Sequence, residues 1–412
     1  MKNSWLRIAL FNFSVVAFLG LFLRWFMVLP PVGFNYKYWL HAHSHAALLG
    51  WLYTAVFIAL LRAYLPPAYR QKQVYSWQFW SAQVAVAGML FSFPVQGYAL
   101  FSITFSTLHI LINYWYVYQF LKDARRAGVA SGVHQVSFTF IKAALFFLVL
   151  STLGPWSLGP IMATGHSGSH LYYNAIYFYL HFQYNGWLSF AVFGLLFWLL
   201  ERYELLFNLR QARRIFWLFF WSCLLGYSLS VLWIKPVLPV YYLAGGAALL
   251  QVAGLFLLLR LLYQQRKALL SLFNSWGRLL LLLSLTALTL KVIMQATTAL
   301  PYMADLAYNI RNFIIGYLHL VLIGFITFFL FAFFIQQGQL QVQARSSRWG
   351  LGIFLAGFVL SEALLFLQGI FFWMDGGMLP EYFKLLFGVS IFYPVGLMLL
   401  QVGQRKAGSD AS

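Results

Sequence analysis

Apolar runs of about twenty residues recur along the whole chain, separated by short polar stretches. A helix rises about 1.5 Å per residue, so one such run spans the roughly 30 Å hydrocarbon core of a bilayer. The pattern predicts helices near residues 5–29, 38–61, 76–94, 100–121, 138–154, 171–199, 215–234, 240–262, 276–298, 308–335, 349–373 and 382–402. The longest polar stretches, near 122–136 and 336–348, are too short to form a soluble domain. The expected fold is an all-α integral membrane protein of about twelve transmembrane helices in a single polytopic domain.

Composition supports this reading. Hydrophobic residues make up 62% of the 412 positions and charged residues 8%, whereas soluble chains keep a far more polar exterior. A net charge of +19 suggests nucleic acid in a soluble protein, but here it follows the positive-inside rule. With the N-terminus inside, 21 of the 27 Lys and Arg fall in inner loops and ends, among them Arg70, Lys72, Arg125, Arg126, Arg213, Arg214, Arg266 and Lys267. The other six are Arg24, Lys37, Lys235, Lys291, Arg311 and Lys384. Both termini are therefore expected in the cytoplasm, with a bacterial inner membrane as the location, lipid as the surroundings and nucleic acid excluded. The first helix follows a short basic segment without a small-residue cleavage site and reads as a retained signal-anchor. The single cysteine, Cys223, excludes a disulfide, a thiolate metal site and covalent haem attachment. Nucleotide-phosphate motifs are absent.

One motif repeats. Residues 45–57 read HAALLGWLYTAVF, 181–193 read HFQYNGWLSFAVF and 319–331 read HLVLIGFITFFLF. Each is His, four residues, Gly, then Trp or Phe, with a further Phe at the thirteenth position. The histidines fall on the second, sixth and tenth predicted helices at near-equal spacing, which divides the chain into four-helix units of about 1–135, 136–275 and 276–412. His45, His181, His319 and also His109 lie roughly 10–17 Å below the outer ends of their helices at about 1.5 Å per residue. Ionisable groups at that depth are costly and usually functional. Haem iron uses such a layer well, because it takes axial imidazoles from facing helices. The glycine five residues after each His (Gly50, Gly186, Gly324) allows a helix or a flat macrocycle to come close.

The densest cluster is HAHSH at 41–45, where His41 and His45 share a helix face and His43 points elsewhere. His166 and His170 lie in an outer loop and His134 in an inner one, with no special role expected. Of the intramembrane charges, Arg24 and Arg311 suit haem propionates, while Glu362 and Lys291 either neutralise one another or belong to a proton path.

Twelve helices in three four-helix arcs, with histidines on the second, sixth and tenth, resemble the catalytic subunit of haem-copper oxidases and nitric oxide reductases. The HAH element also resembles a haem- and copper-containing membrane protein family linked to nitric oxide stress. The resemblance implies that His45 (or His43) and His319 ligate a b-type haem, and that His181 belongs to a copper site. Two further metal candidates come from position instead, His41, four residues from His45 on one helix face, and His109, which could supply a substitute ligand. It also implies an electron donor or other respiratory subunits as partners. The chain departs from that pattern in three places. His319 stands alone on its helix where the family has two histidines, residues 215–234 contain no His, and Tyr184 follows His181 by three residues rather than four. The expectation is one haem, an incomplete copper and high-spin haem site, and no complete oxygen-reducing centre. Two other readings stay open, a transporter or ion pathway built on the histidines and a non-catalytic haem or copper protein.

Overall fold

The computed structural model describes residues 4–129, 134–205 and 207–409, so residues 130–133 of the predicted polar loop lie outside the described part. A helix occupies each predicted apolar segment, and no strand occurs among the described residues. The long helices are α1 (Ser4–Val28), α2 (Tyr36–Tyr64), α3 (Gln73–Gln96), α4 (Leu100–Arg126), α5 (Gln135–Ala163), α6 (His170–Arg202), α7 (Leu209–Ile234), α8 (Leu238–Gln264), α9 (Ser275–Thr297), α10 (Arg311–Gln336), α11 (Arg345–Trp373) and α12 (Tyr382–Gln404), and shorter helices such as Pro301–Asn309 lie between some of them. Ten of them are long and apolar enough to cross a membrane. The two that fall short of that apolarity, α3 and α4, are equally long. They carry Gln78, Gln83 and Ser92, and Ser102, Ser106, His109, Asn113 and Gln119, respectively. The protein is an α-helical membrane protein.

Local chemistry explains several boundaries. The side chains of Asn35, Ser169, Asn208 and Asn274 accept hydrogen bonds from backbone N–H groups at the starts of α2, α6, α7 and α9. Asn and Ser are favoured there because the first N–H groups of a helix have no partner within it. Pro239 sits in the first turn of α8, where its missing N–H costs nothing. At the start of α5 the cap comes from elsewhere in the chain. Glu201 accepts from the backbone N–H of Val136 at 2.9 Å and of Ser137 at 3.3 Å. His134, expected to have no role, lies 3.7 Å from Glu201 and stacks on Trp198, so it belongs to this cap.

The chain divides into two compact units, Met1–Asp123 with Phe333–Ser412, and Ala124–Ala332. In the first, α11 and α12 meet through glycines: a Cβ on Gly350 would lie 2.5 Å from the Gly396 carbonyl oxygen. Aromatic stacking fills the space between α1, α2 and α3, with Phe13 on Trp51 at 4.7 Å and Trp5 on Phe79 at 4.4 Å between ring centres. In the second, a phenylalanine cluster joins α5, α6 and α7, Phe140 stacking on Phe197 at 5.0 Å and meeting Phe216 at 5.1 Å.

Candidate functional site

The sequence repeat coincides with a backbone irregularity. His45, His181 and His319 each end an α-helical stretch, and the residues that follow, Ala46–Tyr53, Phe182–Leu188 and Leu320–Thr327, form π-helix. These are the π segments among the described residues. A π turn takes one residue more than an α turn and widens the helix. At the C-terminal end of each segment a hydroxyl bonds the carbonyl five residues back: Thr54 to Leu49 at 3.4 Å, Ser189 to Tyr184 at 2.6 Å and Thr327 to Leu322 at 2.8 Å. Each segment also packs on the helix before it. Asn12 of α1 donates to the Gly50 carbonyl at 2.9 Å, Gln183 of α6 donates to Ser151 of α5 at 2.9 Å, and Ser284 of α9 donates to the Phe325 carbonyl at 2.7 Å. In the sequence these hydroxyls stand as a Ser or Thr eight or nine residues after each His, a regularity outside the His-x4-Gly-aromatic motif.

In the first unit the histidines of HAHSH divide as helical geometry requires. His41 and His45 lie on one face, against Phe93 and Tyr98; the His45 ring is 4.4 Å from Phe93 and the His41 ring 4.6 Å from Tyr98. His43 turns to α1, where Gly20 makes room for it: a Cβ there would lie 3.1 Å from the His43 ring. His45 Nδ1 lies 2.9 Å from the His41 carbonyl oxygen, and His43 Nδ1 lies 3.1 Å from that of Val16. A carbonyl only accepts, so both Nδ1 atoms carry the hydrogen and both Nε2 atoms carry the lone pair. The Nε2 atom of His45 faces the Tyr98 hydroxyl at 3.4 Å. Arg24 lies within electrostatic reach of His43 and of the buried Glu362. His109 is fully buried in α4, edge-on to Tyr53 at 4.7 Å and within electrostatic reach of His45.

In the second unit His181 adopts the other tautomer. Its Nε2 lies 2.8 Å from the Cys223 carbonyl oxygen and therefore donates, and its Nδ1 accepts from Asn185 and Ser230, each at 3.2 Å. Both ring nitrogens are thus engaged by protein groups. The ring lines a small cavity of about 10 Å³ with Asn185, Cys223, Gln251, Lys291 and Gln295, room for about one water molecule. Lys291, at 3% exposed, faces this cavity, whereas Glu362 lies with Arg24 in the first unit. His319 is half-buried at the turn into its π segment, and Arg311 is exposed at the start of α10. Among the described residues no three His, Cys, Asp or Glu gather closely enough to hold a metal ion by themselves.

Beyond the apolar stretch of α4, a charged cluster closes the first unit at its Lys- and Arg-rich end. Asp123 pairs with Lys72 and accepts from Tyr75 at 2.9 Å and from Gln119 at 2.8 Å. Burial pushes the Asp123 carboxyl up, but these three donors outweigh it and hold the group below the usual carboxylate range. Lys72 is thus more than one charge of the Lys/Arg asymmetry, and no motif in the sequence marks Asp123 as its partner. No protein-family model matches the chain, and no curated protein matches it.

Proposed function

We propose that this is a haem-binding redox protein of twelve transmembrane helices, built from three four-helix repeats with both termini in the cytoplasm of a bacterial cell. The observation that carries the reading is the state of His45 at the entrance to its π segment. A histidine that ligates haem iron through Nε2 needs Nδ1 to donate elsewhere, because that bond fixes the tautomer and the ring direction. His45 has this arrangement through the His41 carbonyl, and His43 repeats it through Val16. Phe93 supports the His45 ring from the side. Arg24 supplies a cation in the same unit that suits a propionate. Three π segments at three matching histidines support the repeat, since such segments are frequent at functional sites. The fit is to a b-type haem, held without covalent attachment because the only cysteine is buried in α7.

Bound haem supplies reversible one-electron chemistry. The chain orients the imidazole, provides a counter-charge and sets the rings of Phe93 and Tyr98 against it. His181 does not fit a copper ligand in the same way, because coordination would break a bond to Cys223 or the bonds to Asn185 and Ser230. The protein is accordingly proposed to transfer electrons without reducing oxygen by itself.

The test is the reduced-minus-oxidised absorbance spectrum of the purified full chain, with haem and copper counted per chain. One low-spin haem and no stoichiometric copper are expected. His45→Ala should abolish the low-spin bands and His181→Ala should leave them, while His319→Ala tests the ligand role its own repeat implies. A wild-type protein without haem bands sinks the reading.

A further inference from the structure

α4 carries an unusual set of buried polar atoms. Both ring nitrogens of His109, the amide oxygen of Asn113 and the hydroxyl of Tyr116 have no hydrogen-bond partner, and neither amide atom of Gln78 on α3 has one. His109 and Gln78 are 0% exposed, as is Tyr116, and Asn113 is 2% exposed. Native proteins rarely leave such groups bare, and the usual resolution is ordered water in contact with them. His109, Asn113 and Tyr116 follow one another at four and three residues and so share one helix face. Below them the stripe continues into the Tyr75–Asp123–Lys72 cluster, with Tyr116 within electrostatic reach of Tyr75. Above them His109 is within reach of His45, whose Nε2 meets the hydroxyl of the exposed Tyr98.

We propose that the first unit contains a hydrated column along α4 that conducts protons between the Asp123–Lys72 cluster and the His45–Tyr98 end. Steps of three or four residues are about 4.5–6 Å along a helix. Two hydrogen bonds through one water span about 5.6 Å, so single waters bridge the steps. The run from His109 to Asp123 covers fourteen residues, or about 21 Å. Tyr75 and Gln119 fill the longest interval, between Tyr116 and Asp123. His109, Tyr116 and Tyr75 each take and give a proton, while the amides of Asn113, Gln78 and Gln119 hold the waters between them. His109 accepts one on one ring nitrogen and releases one from the other, and Tyr116 accepts at its oxygen as its own proton leaves; a turn of the imidazole and rotation of the hydroxyl then reset each for the next proton. Asp123, ionised beside Lys72 and water, collects protons at the mouth. This also gives a reason for α3 and α4 being less apolar than the other ten long helices. The column rests on orphaned atoms of α3 and α4, so its length from Asp123 to His109 stands whether or not haem occupies His45.

The test reconstitutes the full chain in liposomes holding a pH-sensitive dye and drives protons with a potassium diffusion potential. Wild type should carry at least tenfold more protons than protein-free vesicles. Tyr116→Phe and Asn113→Leu, which keep the packing and remove the polar atoms, should each cut the flux at least fivefold with an unchanged melting temperature and visible spectrum. Hydroxyl-radical labelling of wild type needs no variant: Tyr116 and His109 should be modified, while the equally buried Phe140 and Phe147 stay protected. Wild-type flux at the protein-free level, full flux in both variants, or equal protection of all four residues overturns the proposal. Haem bands are read separately, so wild-type flux at the protein-free level with intact bands refutes the column and leaves the haem reading standing.

Discussion

The glycine five residues after each repeat histidine offers a quantitative contrast. At Gly186 an added Cβ would lie 2.6 Å from the Phe147 Cβ, an atom fixed to the backbone of α5. At Gly50 it would lie 3.1 Å from a γ-methyl of Val86, the end of a side chain that can shift. Ordinary contact begins near 3.4 Å, so Gly186→Ala forces the π segment of α6 and helix α5 apart by about 0.8 Å. Overpacking of that kind costs about 1–3 kcal/mol. Replacing a helical Gly by Ala also returns about 0.5–1 kcal/mol of conformational entropy. The net expectation is a loss of up to about 2.5 kcal/mol for Gly186→Ala and a change within about 0.5 kcal/mol of zero for Gly50→Ala. Thermal unfolding of the two purified variants in one detergent, followed by tryptophan fluorescence, compares them directly. The reasoning fails if Gly186→Ala melts at or above the temperature of Gly50→Ala.

Acid should expose the Asp123 cluster. Its carboxyl is held below the usual range, so its stabilising effect is complete above the unfolded value near pH 4 and is lost as pH falls through the lower folded value. Melting temperature should therefore drop below about pH 4 in wild type and drop less steeply in Asp123→Asn; parallel curves would remove Asp123 from the account. Reporter fusions after residues 126 and 267 should report cytoplasm and one near residue 163 the outside, with a cytoplasmic signal at 163 reversing the proposed orientation.

Helix positions were legible because apolar runs and bilayer thickness set the same length scale. The predicted segment 100–121 and the observed Leu100–Arg126 differ only where polar residues continue the helix past its apolar part. The division of His41 and His45 from His43 was legible for the same reason, since helical periodicity alone decides it. Partners distant in sequence were not. Glu201 caps α5 from 64 or 65 residues away, and nothing in a single sequence marks a carboxylate as aimed at those N–H groups. Glu362 and Lys291 stand as isolated charges in the sequence, which does not show their surroundings within their own units, Arg24 for one and the His181 cavity for the other. The π segments escaped because apolar residues tolerate either turn, and only the small hydroxyls hint at the difference.

Those segments have a consequence for how such a chain tolerates change. A π turn behaves as an insertion of one residue into an α-helix, and one residue is about 100° of rotation. Deleting a residue between Ala46 and Tyr53 should restore an ordinary helix and swing everything on one side of it by that angle. The His45 ring would then leave Phe93 and Tyr98, although no side chain in contact with it had been altered. The direction of the imidazole is thus written in the length of the chain, and a single-codon deletion is a more complete lesion there than most substitutions.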